Sequence, residues 1–173
     1  MKRIFLIGYM GAGKTTMGKA LSARTGLTLI DLDQYIEKRY RKTIPQIFAE
    51  HGEEGFREIE RNMLHEVAEF EDVLVSAGGG TPCFFDNMEF MGTSGTTVYL
   101  NVSVDELARR LETSKHPRPV LKGRKGEELK AFIKESLDGR RPYYEKATII
   151  FNAEQMDTKL DVNVLADKLL AMI

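Results

Sequence analysis

A segment near the N-terminus has the residue types that bind the phosphate groups of a nucleotide. Gly8-Tyr-Met-Gly-Ala-Gly-Lys14-Thr15 matches the pattern G-x-x-x-x-G-K-[ST] and lies between an apolar run and a helix-like run. Glycines let successive backbone N–H groups face one anion, and a helix N-terminus adds partial positive charge. Lys14 would reach the β and γ phosphates, and Thr15 would hold Mg²⁺. The expected nucleotide-binding residues here are Gly11, Ala12, Gly13, Lys14, Thr15 and Thr16.

This motif alone does not choose among kinases, GTPases and motor ATPases. The chain has no Asn-Lys-x-Asp segment for guanine recognition, and its third apolar run, Val-Leu-Val-Ser-Ala, lacks the Asp of a typical Walker B motif. Asp31, at the end of the second apolar run, is therefore the better candidate for the outer shell of Mg²⁺, in contact through water. An Asp31→Asn protein with normal Mg²⁺ dependence would contradict this assignment.

Three further features are expected to meet the phosphate-binding loop and form an acceptor pocket. They are the carboxylates of Asp31-Leu-Asp33, the glycines Gly78-Gly-Gly80, and Arg57. Ligands of open parallel sheets lie outside the carboxyl ends of the strands, where these segments would converge. Consecutive glycines allow close approach by another group, and a small hydroxylated ligand would suit them.

Each of these features also has a purely structural interpretation. Asp33 is placed to cap the helix that follows it, although capping and substrate contact can coexist. The three glycines would also suit a tight turn. Arg57 would pair with Glu53 or Glu60 on the surface of its own helix.

The elements that must position these residues alternate between β-like and helix-like runs. This alternation favours βαβ units and predicts a three-layer α/β/α fold of the P-loop NTPase type, with a five-stranded parallel sheet. Strands are predicted at 4–7, 27–30, 73–76, 97–102 and 148–151. Helices are predicted from Lys14 to a stop at Gly26, at 34–41, from Thr43 to Gly52 and then to about Phe70, from a capping box at Ser103, at 127–137, and at 158–173, with another turn or helix at 140–144.

Residues 112–125 interrupt this pattern between two well-patterned helices. They are mostly polar, and the stretch contains prolines and Gly123. This composition is typical of a mobile loop, which we interpret as a lid.

The bulk properties describe a globular protein of ordinary composition. A length of 173 residues predicts a single domain, 1–173, and we expect a monomer. The net charge of −1 argues against nucleic acid as a partner, and no apolar run predicts a membrane span or a signal peptide. The one cysteine, Cys83, cannot form an internal disulfide, which fits the cytoplasm. We expect its side chain to be buried or half-buried rather than catalytic.

Taken together, the motifs resemble those of the shikimate kinase family, within the nucleoside monophosphate kinase-like structural group, along nearly the whole chain. The shared residues occur in family order and at similar separations. They are Gly8-x-Met10-Gly-x-Gly-Lys-Thr15, Asp31-x-Asp33, Gly55-Phe56-Arg57 with Glu60, Gly78-Gly-Gly80, Arg118-Pro119 and Arg140-x-Pro142-x-Tyr144.

The resemblance implies transfer of the γ-phosphoryl group of ATP to the 3-hydroxyl of shikimate, in aromatic amino-acid biosynthesis, with Mg²⁺. It implies that Asp33 binds the reacting hydroxyl and accepts or steers its proton. Arg57, held by Glu60, and Arg140 would bind the shikimate carboxylate through their planar guanidinium groups. The acceptor-binding region would span about 33–61, and the turn residues implied to contact shikimate are Gly78, Gly79 and Gly80.

On the nucleotide side, the resemblance implies that Arg118 reaches the transferring phosphoryl group and that Arg110 lies against adenine. Lys14, Mg²⁺ and Arg118 would supply positive charge to a loose transition state. Closure of the lid would exclude water from the reaction. Two departures are Val120-Leu121, where Leu-Leu is commoner, and the segment 152–157, whose match is weaker.

Two alternatives stay open from the sequence. Another small P-loop kinase, acting on gluconate or a nucleoside monophosphate, would also use paired arginines. A nucleotide-binding module without turnover would have the same phosphate-binding loop, but it would be expected to have lost one of the residues named above.

Overall fold

The computed structural model describes residues 2–115 and 118–173. Its centre is a sheet of five parallel strands in the order β2-β3-β1-β4-β5, which confirms the predicted fold class. The strands are β1 (Arg3–Ile7), β2 (Thr28–Asp31), β3 (Val73–Ser76), β4 (Thr96–Asn101) and β5 (Ile149–Asn152).

The sequence of the inner strands explains why the sheet is parallel and covered on both faces. Every residue of β3 is buried, as are Ile4 to Ile7 in β1, so side chains on both faces of these strands pack against other elements. Leu6 lies opposite Ser76, and Ser76 lies opposite Asp31. This register brings the carboxyl ends of β1, β2 and β3 side by side.

Seven α-helices and two 3₁₀ helices lie in the described segments. The α-helices are α1 (Lys14–Thr25), α2 (Leu32–Tyr40), α3 (Ile44–Ala68), α4 (Asn87–Ser94), α5 (Val104–Glu112), α6 (Gly126–Tyr144) and α7 (Lys159–Leu170). The 3₁₀ helices are Thr81–Cys83 and Pro119–Leu121. A kink at Gly52, with φ 70° and ψ 179°, divides α3 where the sequence predicts a break.

Three helix ends follow the local signals, one of them only in part. Gly26 ends α1 at φ 76°, and Thr43 forms a capping box with Gln46 at the start of α3. Ser103 caps α5 by accepting a hydrogen bond from the backbone N–H of Glu106. The reciprocal half of that predicted box is absent, because the backbone N–H of Ser103 donates to Glu154 instead.

Two predictions about the helices were wrong. The segment at 140–144 is the end of α6 rather than a separate element, and Pro142 is accommodated inside its last turns. The helix is held there because Leu137 and Tyr144 are buried in the core. The sequence reading also missed α4, whose apolar residues show little helical periodicity.

The segment interpreted as a lid begins at the last residue of α5 and ends one residue before α6. It contains the 3₁₀ helix Pro119–Leu121, in which Leu121 is buried. His116 and Pro117, within the same segment, lie outside the described residues. No helix in the described parts of the chain combines the length and apolar character needed to cross a membrane.

Candidate active site

A cleft of about 480 Å³ lies at the carboxyl ends of the strands. The loop after β1, the β2–α2 junction and the turn after β3 form its floor, as the parallel sheet requires. Its lining consists of Met10, Gly11, Gly13, Lys14, Thr15, Thr16, Asp31, Asp33, Ser76, Ala77, Gly78, Gly79, Arg109, Arg110, Arg118, Met156 and Asp157.

The loop between β1 and α1 has the geometry of an anion cradle. Gly11 and Gly13 adopt φ 83° and 98°, which L side chains rarely adopt. No side chain caps the N-terminus of α1, and its first turn contains no acidic residue. The backbone N–H groups and the dipole of α1 therefore face the cleft without a competing carboxylate from this helix.

Lys14 lies across this loop. Its Nζ atom donates to the carbonyl oxygens of Gly8 at 2.7 Å and Tyr9 at 3.0 Å. Burial, followed by the charge of Arg118, lowers the pKa of Lys14 to about 8. A phosphate group beside Lys14 would favour the charged form of this side chain.

The oxygen atoms near Thr15 fit a magnesium ion that takes few ligands from the protein. The described residues contain no group of three or more His, Cys, Asp or Glu side chains that could hold a metal ion. Mg²⁺ commonly keeps several waters and binds substrate phosphates together with one or two protein oxygens. Thr15, Asp31 and Ser76 line the cleft and provide hydroxyl and carboxylate oxygens. Thr15 and Asp31 are therefore suitable ligands, the latter through water.

The two carboxylates of Asp31-Leu-Asp33 have different structural positions. Asp31, not Asp33, caps α2: its Oδ1 atom accepts from the backbone N–H of Gln34 at 3.0 Å. The prediction that Asp33 is the cap was wrong, because α2 begins at Leu32 and Asp33 lies within its first turn. The side chain of Asp33 is therefore not used for capping and lines the cleft.

The surroundings of Asp33 raise the pKa of its carboxyl group. Burial raises its pKa to about 6, and the negative charges of Glu60 and Asp31 act in the same direction. Lys14 and Arg57 oppose this shift. A carboxyl with this pKa is mostly ionised at neutral pH and is better suited to accept a proton than one with an ordinary pKa.

The turn after β3 has two guanidinium groups against it. A Cβ atom on Gly79 would lie 2.9 Å from Nη1 of Arg140, and one on Gly80 would lie 2.8 Å from Nη2 of Arg57. None of Gly78, Gly79 and Gly80 has a positive φ. Space for the arginines, rather than an unusual turn conformation, therefore explains glycine at Gly79 and Gly80.

Arg57 is part of a partly buried network. Its Nη1 atom donates to Oε1 of Glu60 at 3.0 Å, and the side chain of Glu60 is only 1% exposed. The more exposed Glu53 lies 3.9 Å from Nε of Arg57. The predicted pairing with Glu60 is present, and the side chain of Arg57, 15% exposed, is not an ordinary surface partner.

Arg110 joins the phosphate-binding loop to the segment after β5. Its guanidinium donates to the carbonyl oxygens of Gly11 and Ala12, and also to those of Ala153 and Glu154. Nε of Arg110 donates to Glu106, whose carboxylate also accepts from Arg109. These hydrogen bonds, from Arg109 first and then from Arg110, lower the pKa of Glu106 to about 2.

The comparisons with known proteins agree with these features. A family model for shikimate kinase matches residues 10–172. Shikimate kinase from Parabacteroides distasonis is 69% identical over 173 residues, which cover 100% of both chains. The chain belongs to the shikimate kinase family. Solved structures of other members have the same fold over nearly the entire chain.

Two of those shikimate kinase structures are especially informative. The crystal structure of the enzyme from Bacteroides thetaiotaomicron has a TM-score of 0.96 and 53% identity, and covers 99% of this chain and 97% of that one. The enzyme from Acinetobacter baumannii, solved in complex with shikimate, has a TM-score of 0.86 and 34% identity, with coverage of 99% and 92%.

In this member of the shikimate kinase family, most of the sequence-predicted site residues line one cleft. Ala12, Arg57, Gly80 and Arg140 lie beside it rather than in its lining. Cys83 is half-buried, and burial raises the pKa of its thiol, which opposes a role as a nucleophile.

Sequence reasoning missed several lining residues of this shikimate kinase family member: Met10, Ser76, Ala77, Arg109, Met156 and Asp157. Ser76 had a usable signal, because it occupies the strand end where a Walker B Asp was sought. Met156 had none, since its contact with the loop is long-range: its Cε atom would lie 2.8 Å from a Cβ on Gly13.

Proposed function

We propose that this protein transfers the γ-phosphoryl group of ATP to the 3-hydroxyl of shikimate, giving shikimate 3-phosphate and ADP. The observation that carries the proposal is the meeting of a phosphate cradle, the Asp33 carboxylate and two guanidinium groups at one end of the sheet. Family membership supports the same reaction, and a family member has been solved with shikimate bound.

The acceptor would lie between Asp33 and the turn after β3. Arg57 and Arg140 bind its carboxylate in this proposal, because a guanidinium presents two parallel N–H donors to a carboxylate. Gly79 offers its backbone N–H, with Gly78 and Gly80 beside it. Asp33 orients the reacting hydroxyl and accepts its proton as the phosphoryl group is transferred.

The nucleotide would lie along the loop before α1, held by Gly11, Ala12, Gly13, Lys14, Thr15 and Thr16. Lys14 and Arg118 stabilise negative charge on the transferring phosphoryl group, and Arg110 lies against adenine. Mg²⁺, held by Thr15 and through water by Asp31, would neutralise charge on the phosphate oxygens when bound. Residues 112–125 would close as a lid and exclude water.

The proposal also includes the physical form and location of the enzyme. We expect a single domain spanning 1–173, a monomer, and action in the cytoplasm on small molecules, without nucleic acid or membrane partners. The anion-binding groups are concentrated in one cleft of a chain whose net charge is −1, which supports a small anionic ligand over a nucleic acid.

A coupled assay of ADP release tests the reaction directly. Shikimate, gluconate and nucleoside monophosphates are compared as acceptors with ATP and Mg²⁺, and the expected result is turnover that depends on shikimate. Indifference to shikimate would refute the proposal, and turnover with gluconate instead would favour the other small kinases.

Two variants extend this assay to the roles of residues. Lys14→Ala should abolish turnover with every acceptor, because the variant lacks the ammonium group whose full positive charge would face the negatively charged β and γ phosphates. Arg57→Ala should mainly raise the KM for shikimate, and an unchanged KM would contradict its carboxylate-binding role.

A further inference from the structure

The segment Thr81–Phe84, which follows the three glycines, contacts Arg57 through a route with no role in the preceding proposal. Cζ of Arg57 lies 4.1 Å from the centroid of the Phe84 ring. It lies 5.3 Å from the centroid of the ring of Phe56, its neighbour in α3. Both distances are within the range of attraction between a cation and an aromatic face, and Phe84 makes the closer contact.

Thr81 reaches the same arginine through Glu60. The Oγ1 atom of Thr81 donates to Oε2 of Glu60 at 2.8 Å, while Oε1 of Glu60 accepts from Arg57 at 3.0 Å. Both oxygens of this buried carboxylate are therefore occupied. The orientation of Glu60 depends on Thr81 as well as on Arg57.

The segment is itself anchored to the first residue of α4. Asn87 is fully buried, and its Nδ2 atom donates to the carbonyl oxygen of Thr81 at 2.9 Å. The backbone N–H of Cys83 donates to the carbonyl oxygen of Gly80, which completes the short 3₁₀ turn. Phe84 is thus attached to a fixed backbone next to the glycine turn.

These contacts restrict the Arg57 guanidinium from three directions. Gly80 lies beside one edge, Glu60 accepts from one nitrogen, and the Phe84 ring lies near the group. A long arginine side chain otherwise loses considerable rotamer freedom when it binds a ligand. Restriction before binding lowers that entropic cost and fixes the direction of the N–H donors that remain.

We infer that Phe84 is a positioning residue for the acceptor: its ring holds the guanidinium of Arg57 in the orientation that binds a carboxylate, and Thr81 supports the same orientation through Glu60. The inference rests on the proposed function, in which Arg57 binds the carboxylate of shikimate. Phe84 acts through Arg57 and does not itself need to touch the substrate.

The adjacent aromatic residue provides a matched control. Phe85 is 56% exposed, and its ring lies 5.6 Å from Cζ of a different arginine, Arg61. Arg61 pairs with Asp86 at 3.2 Å and does not line the cleft. Phe84→Leu and Phe85→Leu therefore make the same chemical change at successive positions, and only the first removes an aromatic ring from Arg57.

Steady-state kinetics of the full chain with shikimate and ATP test the inference. Phe84→Leu should raise the KM for shikimate about ten-fold, within the range expected for loss of a partly desolvated cation–aromatic contact. Its kcat and its KM for ATP should stay near the wild-type values. Phe84→Tyr should restore the wild-type KM, and Phe85→Leu should retain it.

A second pair of variants tests the same positioning without removing the ring. Thr81→Val deletes the donor to Glu60 and should raise the KM for shikimate, whereas Thr81→Ser keeps the hydroxyl and should not. Equal KM values for Phe84→Leu and Phe85→Leu would overturn the inference. So would a parallel rise in both Michaelis constants, which indicates general structural damage.

The wild-type measurement separates this inference from the proposed function. Wild-type protein that does not phosphorylate shikimate would overturn both. Wild-type activity together with an unchanged KM for shikimate in Phe84→Leu and Thr81→Val would overturn the positioning role alone.

Discussion

Replacing Gly80 with alanine should displace Arg57 while leaving the fold intact. A Cβ atom at this position would lie 2.8 Å from Nη2, 3.0 Å from Nη1 and 3.1 Å from Cζ of Arg57. Gly80 has φ −88° and ψ −15°, a conformation open to any residue. The backbone therefore accepts alanine, and the steric conflict falls on the end of a flexible side chain.

The expected size of the effect follows from these distances. Non-bonded heavy atoms at their optimal separation are about 3.5 Å apart or more, so the guanidinium must retreat by roughly 0.7 Å. A guanidinium–carboxylate hydrogen bond spans about 2.7–2.9 Å and weakens when it is stretched that far. A hydrogen bond to a charged group contributes about 1.5–3 kcal/mol. Loss of one such bond should raise the KM for shikimate by about 10- to 150-fold.

The coupled ADP-release assay measures this change, with the Michaelis constants for shikimate and ATP determined separately. Gly92→Ala is the matched control, because Gly92 lies in α4 and a Cβ there would meet no atom within 4 Å. We expect Gly80→Ala to change only the KM for shikimate and Gly92→Ala to change neither constant. Both Gly80→Ala and Gly92→Ala should remain folded, as shown by a cooperative unfolding transition in chemical denaturation.

Two results would refute this reasoning. A KM for shikimate that stays at the wild-type value in Gly80→Ala would mean that Arg57 does not bind the acceptor or moves without consequence. A loss of unfolding free energy of about 2–5 kcal/mol, the size seen for large-to-small changes in a core, would mean that the backbone cannot accept the methyl group.

The remaining predictions concern Asp33, Glu106 and Tyr144. Asp33→Asn should abolish turnover with ATP binding nearly intact by calorimetry, and a fully active variant would contradict proton acceptance by Asp33. Glu106→Gln should weaken ATP binding more than shikimate binding, because Glu106 accepts from Arg109 and Arg110, which line the proposed nucleotide side of the cleft. The pKa of Glu106 falls from 4.5 to about 2 on folding, so its negative charge stabilises the fold above pH 4.5. This stabilisation is lost as the pH falls toward 2. The difference in urea midpoint between wild type and Glu106→Gln should therefore shrink over that pH range. Tyr144→Phe should lower the free energy of unfolding by about 1–3 kcal/mol in urea titrations, because the carbonyl oxygen of Gly79 loses a donor, and an unchanged midpoint would count against that contact.

The conformation of the loop between β1 and α1 was predictable because it depends on local sequence. Backbone conformation at Gly11 and Gly13 requires glycine, and the lysine that follows lies at a fixed distance along the chain. The same holds for Gly26, whose positive φ ends α1. Such features need no knowledge of the rest of the fold.

Asp31 and Asp33 mark the limit of local reasoning. Either residue could cap a helix, and the sequence does not say whether α2 begins before or after Leu32. The structure decides this through β2, whose last residue lies opposite Ser76 and passes directly into the helix. One carboxylate then caps the helix and the other lines the cleft.

The end of α6 depends on contacts that are distant in sequence. Pro142 locally predicts the end of a helix, because proline has no backbone N–H donor and clashes with the preceding helical turn. Tyr144, two residues later, is fully buried, and its hydroxyl donates to the carbonyl oxygen of Gly79 at 2.5 Å. This tertiary contact fixes the last turn, and with it the position of Arg140 beside the glycines.

The nucleotide side could not be derived from the sequence for a similar reason. Arg110 contacts carbonyl oxygens in the loop before α1 and in the segment after β5, which are far apart along the chain. Glu106 has the expected spacing for a capping box, yet its carboxylate accepts from two arginines instead. A local pattern could not reveal this competition, because Glu154, the alternative partner of the Ser103 N–H, comes from beyond β5.

The charges on the proposed acceptor side are compatible with an anionic ligand although the net charge of the chain is −1. The two arginines against the glycine turn are not equivalent. Arg57 is paired with buried Glu60, whereas no ion pair with a carboxylate is formed by Arg140 within residues 2–115 and 118–173. Of these two arginines, Arg140 therefore has the charge that no ion pair compensates, whereas Glu60 compensates the charge of Arg57 and orients its guanidinium. The negative charge of Glu60 also raises the pKa of Asp33, so the residue that orients one arginine also helps to adjust the proposed proton acceptor.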